Sequence, residues 1–189
     1  HSGDTKVTDL LYKCYGQAIL DDDREEDFEE ILKVIKERYD SIINGLELTI
    51  SLDDEFKTIR ENFSKKIGRD YAASRGEYLN GIIMAAYLGY EFIDAAEVIF
   101  FDEEGEFDAE KTNEVLSERL AHTERAVIPG FYGSNPDGTI HTFSRGGSDI
   151  TGSIVARAVH ADMYENWTDV SGFLIADPRI IKNPKAIDV

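Results

Sequence analysis

The first seventy residues repeat apolar positions three and four apart. "VTDLLYKCYGQAIL", residues 7 to 20, predicts one helix. A second runs to about Ile43, with Phe28, Ile31, Leu32, Ile35 and Tyr39 as a single buried stripe and Asn44-Gly45 able to end it. A third is expected from about Asp53 to Ile67, with Phe56, Ile59, Phe63 and Ile67 on its apolar face and Gly68 as its stop. The second and third read as a helical hairpin.

Beyond them, "SRGEYLNGIIMAAYLGY" predicts a helix from about Arg75 to Leu88, and Ser74 and Glu77 have the spacing of a capping box. "EVIFFD" reads as a strand and "DAEKTNEVLSERLA" as an amphipathic helix. From Arg125 the pattern turns to strands. "RAVIPGFYG" and "TIHTFS" flank Pro136-Asp137-Gly138, which predicts a hairpin. A helix from about Asp149 to His160 and a strand "DMYENWTDV" follow, the order of a right-handed parallel crossover. The expected class is α/β, one domain with helices covering a central sheet.

The composition is that of an ordinary globular chain, but the net charge of -18 narrows the partners. Such a surface repels phosphate backbones and anionic lipid, so neither nucleic acid nor membrane is expected. A small anion stays admissible, because a few local donors can dominate a pocket. The longest apolar stretch, "GIIMAAYLGY", is too short to span a bilayer, and "HSGDTKVTDLL" has no signal-peptide pattern. The lone cysteine, Cys14, permits no internal disulfide, which suits a reducing cytoplasm, and its apolar run makes it a core residue. The acids of "DDDREEDFEE" suit a helix start better than a metal site, and the four histidines share no metal-ligand spacing. Trp167 and Phe173 are expected in the core.

Candidate chemistry gathers in "FSRGGSDITGS", residues 143 to 153. Gly146 and Gly147 at a strand-to-helix joint let successive amide N–H groups converge, the helix start adds partial positive charge, and Arg145 offers a planar cation. That describes an anion cradle. It also describes a tight turn with Ser148 or Asp149 as N-cap and Arg145 in a surface ion pair. The glycine pair does not match the longer dinucleotide or P-loop fingerprints. Asp149 would repel an anion unless it organises a cation, which is the logic of phosphoryl transfer. Thr168 and Asp169 end the next expected strand, where ligands of open α/β sheets bind, and Asp177-Pro178-Arg179 follows.

The stretch "FSRGGSDITGSIVARAVHADMYENWTDVSGFLIADPRII" resembles the aspartokinase signature, "SRGEYL" resembles that family's S-x-G-E-x-L segment, and "KVTDLLY" resembles its early threonine-bearing helix. The resemblance covers most of the chain. It implies an amino-acid-kinase-like (carbamate-kinase-like) fold: a central, mostly parallel sheet with helices on both faces and an inserted helical hairpin. It implies phosphorylation of the side-chain carboxylate of L-aspartate by MgATP, the first step toward lysine, threonine and methionine, in a cytoplasmic enzyme that is a homodimer when intact. By the same resemblance, Arg145, Gly146, Gly147 and Ser148 would hold the substrate carboxylates. Thr8 and Glu77 would complete the amino-acid site, with Glu77 near the ammonium, and Asp149 would orient a catalytic lysine. Thr168, Asp169, Asp177 and Arg179 would lie at the nucleotide.

The sequence departs from the pattern in several places. The family's lysine-bearing K-F-G-G strand, its downstream G-A-K-V-type segment and its regulatory domains are not present in these residues, and Leu174 stands where a tyrosine is usual. Residues 1 to 189 therefore read as one partial catalytic domain, the aspartate-binding lobe with the start of the nucleotide lobe, poorly active alone. Two alternatives are a kinase of the glutamate or carbamate class and a non-catalytic small-anion-binding module.

Overall fold

The computed structural model describes residues 5–20, 25–144 and 147–167. Four helices form one layer: α1 (Val7–Ile19), α2 (Glu25–Gly45), α3 (Asp53–Ser64) and α4 (Arg69–Leu88). Their core is built by the predicted stripes. Phe28, Leu32, Ile35 and Tyr39 of α2 meet Phe56, Ile59 and Phe63 of α3, with Leu11 and Cys14 of α1 closing the cluster. Ile67 lies outside this core, because α3 ends a turn early at Ser64 and leaves Ile67 exposed. α2 stops as Asn44-Gly45 foretold, although Glu47, at φ 55°, takes the left-handed position.

A second cluster centres on Ile93, Val98, Ile99, Leu116 and Tyr132. It is enclosed by α5 (Ala95–Val98), α6 (Ala109–Ala121) and α7 (Gly147–Ala158), and Tyr78 and Ile140 pack against both clusters. Among the described residues the sheet is reduced to two pairs. β1 (Glu91–Phe92) runs parallel to β2 (Ala126–Val127) after a crossover through α5 and α6. β3 (Tyr132–Ser134) and β4 (Ile140–Thr142) form the predicted hairpin, with Tyr132 opposite Thr142. Its turn is closed by Gly138 N–H donating to the Asn135 carbonyl at 2.9 Å and by Asp137 Oδ1 accepting from the Thr139 amide at 2.9 Å.

Several expectations change. The Ser74–Glu77 pair is no capping box. α4 begins at Arg69, so both residues sit inside the helix, and Ser74 Oγ donates back to the Tyr71 carbonyl at 2.8 Å. "EVIFFD" is not a continuous strand, because Asp94 Oδ1 caps α5 through the Ala96 amide and leaves only single bridges at Phe100 and Phe101. "RAVIPGFYG" divides into β2 and β3 at Pro129-Gly130, since proline lacks the N–H that a ladder needs. Residues 162–167 form no strand, and Trp167 is 90% exposed rather than in the core. Phe173 lies outside the described residues.

Candidate functional site

Two structural features carry the predicted residues. The first is the contact of α1 with α4. Gly76 presents a bare backbone to α1: a Cβ there would lie 3.7 Å from Leu11, 3.8 Å from Val7 and 4.0 Å from Thr8 Oγ1. The early threonine and the S-R-G-E segment are therefore neighbours across α1 and α4. Tyr39 of α2 reaches the same place and donates its hydroxyl to the Gly76 carbonyl at 3.0 Å. Next to it, Glu77 is half-buried, and its Oε2 is closed off from solvent with no hydrogen-bond partner among the described residues. Burial pushes the Glu77 carboxyl above its ordinary range, against a smaller lowering by its own backbone N–H. Burial, and then the charge of Glu77, pushes the Tyr39 phenol up as well. Among the described residues no donor reaches Glu77 Oε2, which leaves that oxygen able to accept one.

The second feature is the start of α7. Gly147 is its first residue and is buried, while Ser148 and Asp149 are exposed in the first turn rather than capping it. The turn is locked to the β2–β3 connection by close backbone approach. A Cβ on Gly147 would lie 2.8 Å from Phe131 Cα, and one on Gly130 would lie 3.0 Å from Ser148 Cα. Thr151 Oγ1 ties the two sides, donating to the Gly147 carbonyl at 2.7 Å and accepting the Phe131 amide at 3.1 Å. Phe131 holds φ 85°, a strained conformation for a side chain of its size. Asp149 Oδ1 accepts from Asn166 Nδ2 at 3.1 Å, which orients the carboxylate at the rim of the turn.

The hairpin links the two features. The Thr142 amide donates to Asp70 Oδ2 at 3.1 Å, so the chain enters the 143–147 segment from the N-terminal end of α4. Arg145, Gly146, Thr168, Asp169, Asp177 and Arg179, with Leu174, lie outside the described residues. Sequence reading missed Tyr39 and Arg75 as polar groups of this region. Arg75 was legible only as the middle of Tyr71, Arg75 and Tyr78, a helical spacing that puts all three on one face. No group of three metal-ligating side chains occurs among the described residues.

The amino acid kinase family profile matches residues 1–189. The chain belongs to the amino acid kinase family. Within that family it is 36% identical to aspartokinase 3 of Bacillus subtilis over 99% of this chain and 43% of that one. The crystal structure of an aspartate kinase from Clostridium acetobutylicum superposes with a TM-score of 0.85 at 50% identity, covering 98% of this chain and 42% of that one. E. coli aspartokinase III in complex with aspartate and ADP shares the fold, with a TM-score of 0.77 at 24% identity over 99% of this chain and 45% of that one. The chain thus spans less than half the length of these relatives. The amino-acid-kinase fold expected from the motifs is the fold of this chain. No helix among the described residues is long and apolar enough to cross a membrane.

Proposed function

We propose that these residues form the aspartate-binding part of the catalytic domain of an ATP-dependent aspartate kinase. An oxygen of the side-chain carboxylate of L-aspartate attacks the γ-phosphorus of MgATP. The bond from that phosphorus to the β,γ-bridging oxygen breaks, its electron pair leaves with ADP, and 4-phospho-L-aspartate is formed. The observation that carries the reading is Glu77, a half-buried carboxyl whose Oε2 has no partner among the described residues, next in sequence to Gly76, which faces Thr8. It suits the α-ammonium of an amino acid, which would pair its charge and fill its empty acceptor. Support comes from the aspartokinase relatives and from the aspartate and ADP in the similar E. coli structure.

In this reading Arg145, Gly146, Gly147 and Ser148 bind the two carboxylates, Thr8 completes the amino-acid site, and Asp149 orients a lysine supplied from outside these residues. Thr168, Asp169, Asp177 and Arg179 face the nucleotide, and Mg²⁺ arrives with ATP. The intact enzyme is a homodimer in the cytoplasm.

Calorimetry with L-aspartate, and with succinate, which lacks the ammonium, tests the assignment. The wild-type chain should prefer aspartate, and Glu77→Gln should reduce that preference by roughly tenfold or more. Equal binding of the two ligands by the wild-type chain would refute the role of Glu77. A coupled ADP-release assay should show little turnover by these residues alone, and L-glutamate in place of L-aspartate distinguishes the glutamate-kinase alternative.

A further inference from the structure

Arg75 is charged, 5% exposed, and pairs with no carboxylate among the described residues. Its guanidinium is sandwiched between Tyr71, 4.4 Å from the ring centroid, and Tyr78, 4.2 Å away, with Tyr132 at 5.6 Å. Those contacts satisfy its faces but not its edge. Nε and one Nη2 hydrogen donate to a single acceptor, Ser74 Oγ, at 3.1 and 2.9 Å. A guanidinium has five N–H donors, so three have no acceptor among the described residues. Its Nη1 is not closed off from solvent, so these hydrogens are open to water or to a ligand.

Arg75 lines a cavity of about 120 Å³ between α3 and α4, walled by Tyr71 and Tyr78 and bordered by Asp54, Glu55 and Thr58. At roughly 30 Å³ per water-sized group this holds about four such groups. Asp54 is exposed and Glu55 half-exposed at its outer side. Glu55 shares the lining with Tyr78, whose phenol is pushed up by burial and by the charge of Asp94, lowered by Arg75, and raised further by Glu55. The lining therefore pairs one buried cation with two acids at the rim. A simple anion meets Arg75 but is repelled by Asp54 and Glu55, and a simple cation meets the reverse. A zwitterion satisfies both, with its carboxylate on the free edge of Arg75 and its ammonium toward the acids.

We propose that the Arg75 cavity is a second, independent binding site for the head group of a small α-amino acid. It is separate from the aspartate site proposed above. Arg75 and Glu77 are two positions apart on α4, so their side chains leave opposite sides of the helix. The inference does not rest on the kinase reading.

The test uses L-alanine as probe, titrated by calorimetry into the 189-residue chain with L-aspartate saturating. Acetate and methylammonium, the two halves of the head group, serve as comparisons. L-Alanine should bind saturably, and each half at least roughly tenfold more weakly. Arg75→Met, which keeps the apolar stem, should weaken L-alanine by about tenfold or more. Glu55→Gln should weaken it severalfold while leaving L-aspartate affinity unchanged. If Arg75→Met does not fold, the half-exposed Glu55→Gln decides alone. Absence of saturable L-alanine binding by the wild-type chain, or binding that Glu55→Gln leaves unaltered, overturns the proposal. Failure of the aspartate and succinate test at Glu77 would leave this one standing.

Discussion

Replacing Gly147 by alanine perturbs the α7 turn at its tightest point. The new Cβ would meet Phe131 Cα at 2.8 Å, Phe131 Cδ2 at 3.0 Å and Phe143 Cβ at 3.1 Å, so a separation of about half an ångström must be regained. Phe131 cannot supply it cheaply. Its φ is already 85°, its amide is held by Thr151 Oγ1, and its carbonyl accepts the Phe143 amide at 2.9 Å. α7 must retreat instead, which stretches the Thr151 bridge. Overpacking of this kind costs about 1–3 kcal/mol, and a weakened hydrogen bond adds about 0.5–1.5 kcal/mol. The higher helix propensity of alanine returns at most about 1 kcal/mol. With the full propensity gain subtracted, the net loss is about 0.5–3.5 kcal/mol, a fall in Tm of roughly 1–14 °C for a chain of this size. Gly16 is the internal control. It lies inside α1 with nothing within 4 Å of a built Cβ, so Gly16→Ala should raise Tm by about 2–4 °C. Thermal unfolding followed by circular dichroism reads both. A Gly147→Ala chain as stable as wild type would refute the close-approach argument.

Glu77 gives a pH prediction of definite sign. Its folded pKa is raised, so the native state holds the proton more tightly than the unfolded chain, and ligand-free stability should fall as pH rises through the folded value. Urea midpoints measured from the ordinary carboxylate range to neutrality should show that fall, and Glu77→Gln should remove it; an unchanged slope in the variant counts against the assignment. Cys14 is fully buried and its thiol is pushed up to about 12, first by burial and then by the charge of Glu29. A thiol reagent at pH 8 should label it only as fast as the chain opens, and immediate labelling would contradict the packing. Trp167, the single tryptophan, should emit as a solvated indole and be quenched freely by acrylamide, whereas blue-shifted emission would return it to the core.

The helical half was legible because a three-and-four spacing of apolar residues has one good solution, a buried stripe. Phe28, Leu32, Ile35 and Tyr39 lie where their spacing put them. The hairpin was legible from Pro136-Asp137-Gly138, whose turn chemistry is local. The motifs "SRGEYL" and "FSRGGSDITGS" led to the family without any coordinates. The failures arose where a non-local partner outweighed a local signal. Ser74 and Glu77 have capping-box spacing, but α4 reaches back to Arg69 because Tyr71 and Ala72 find a core to bury against. Trp167 is apolar by composition, and nothing in its own segment says that it is left exposed.

The sequence by itself determined which residues are helical stripes, where the hairpin turns, and which motifs bear chemistry, since these depend on neighbours along the chain. Only tertiary structure brought Thr8 to Gly76, left Glu77 Oε2 without a partner among the described residues, pressed Gly147 onto Phe131 and brought Tyr132 to Arg75. Each of these joins elements far apart in sequence, or depends on what fails to arrive beside a buried group. Burial and hydrogen-bond satisfaction are properties of the packed molecule, and no spacing along the chain encodes them.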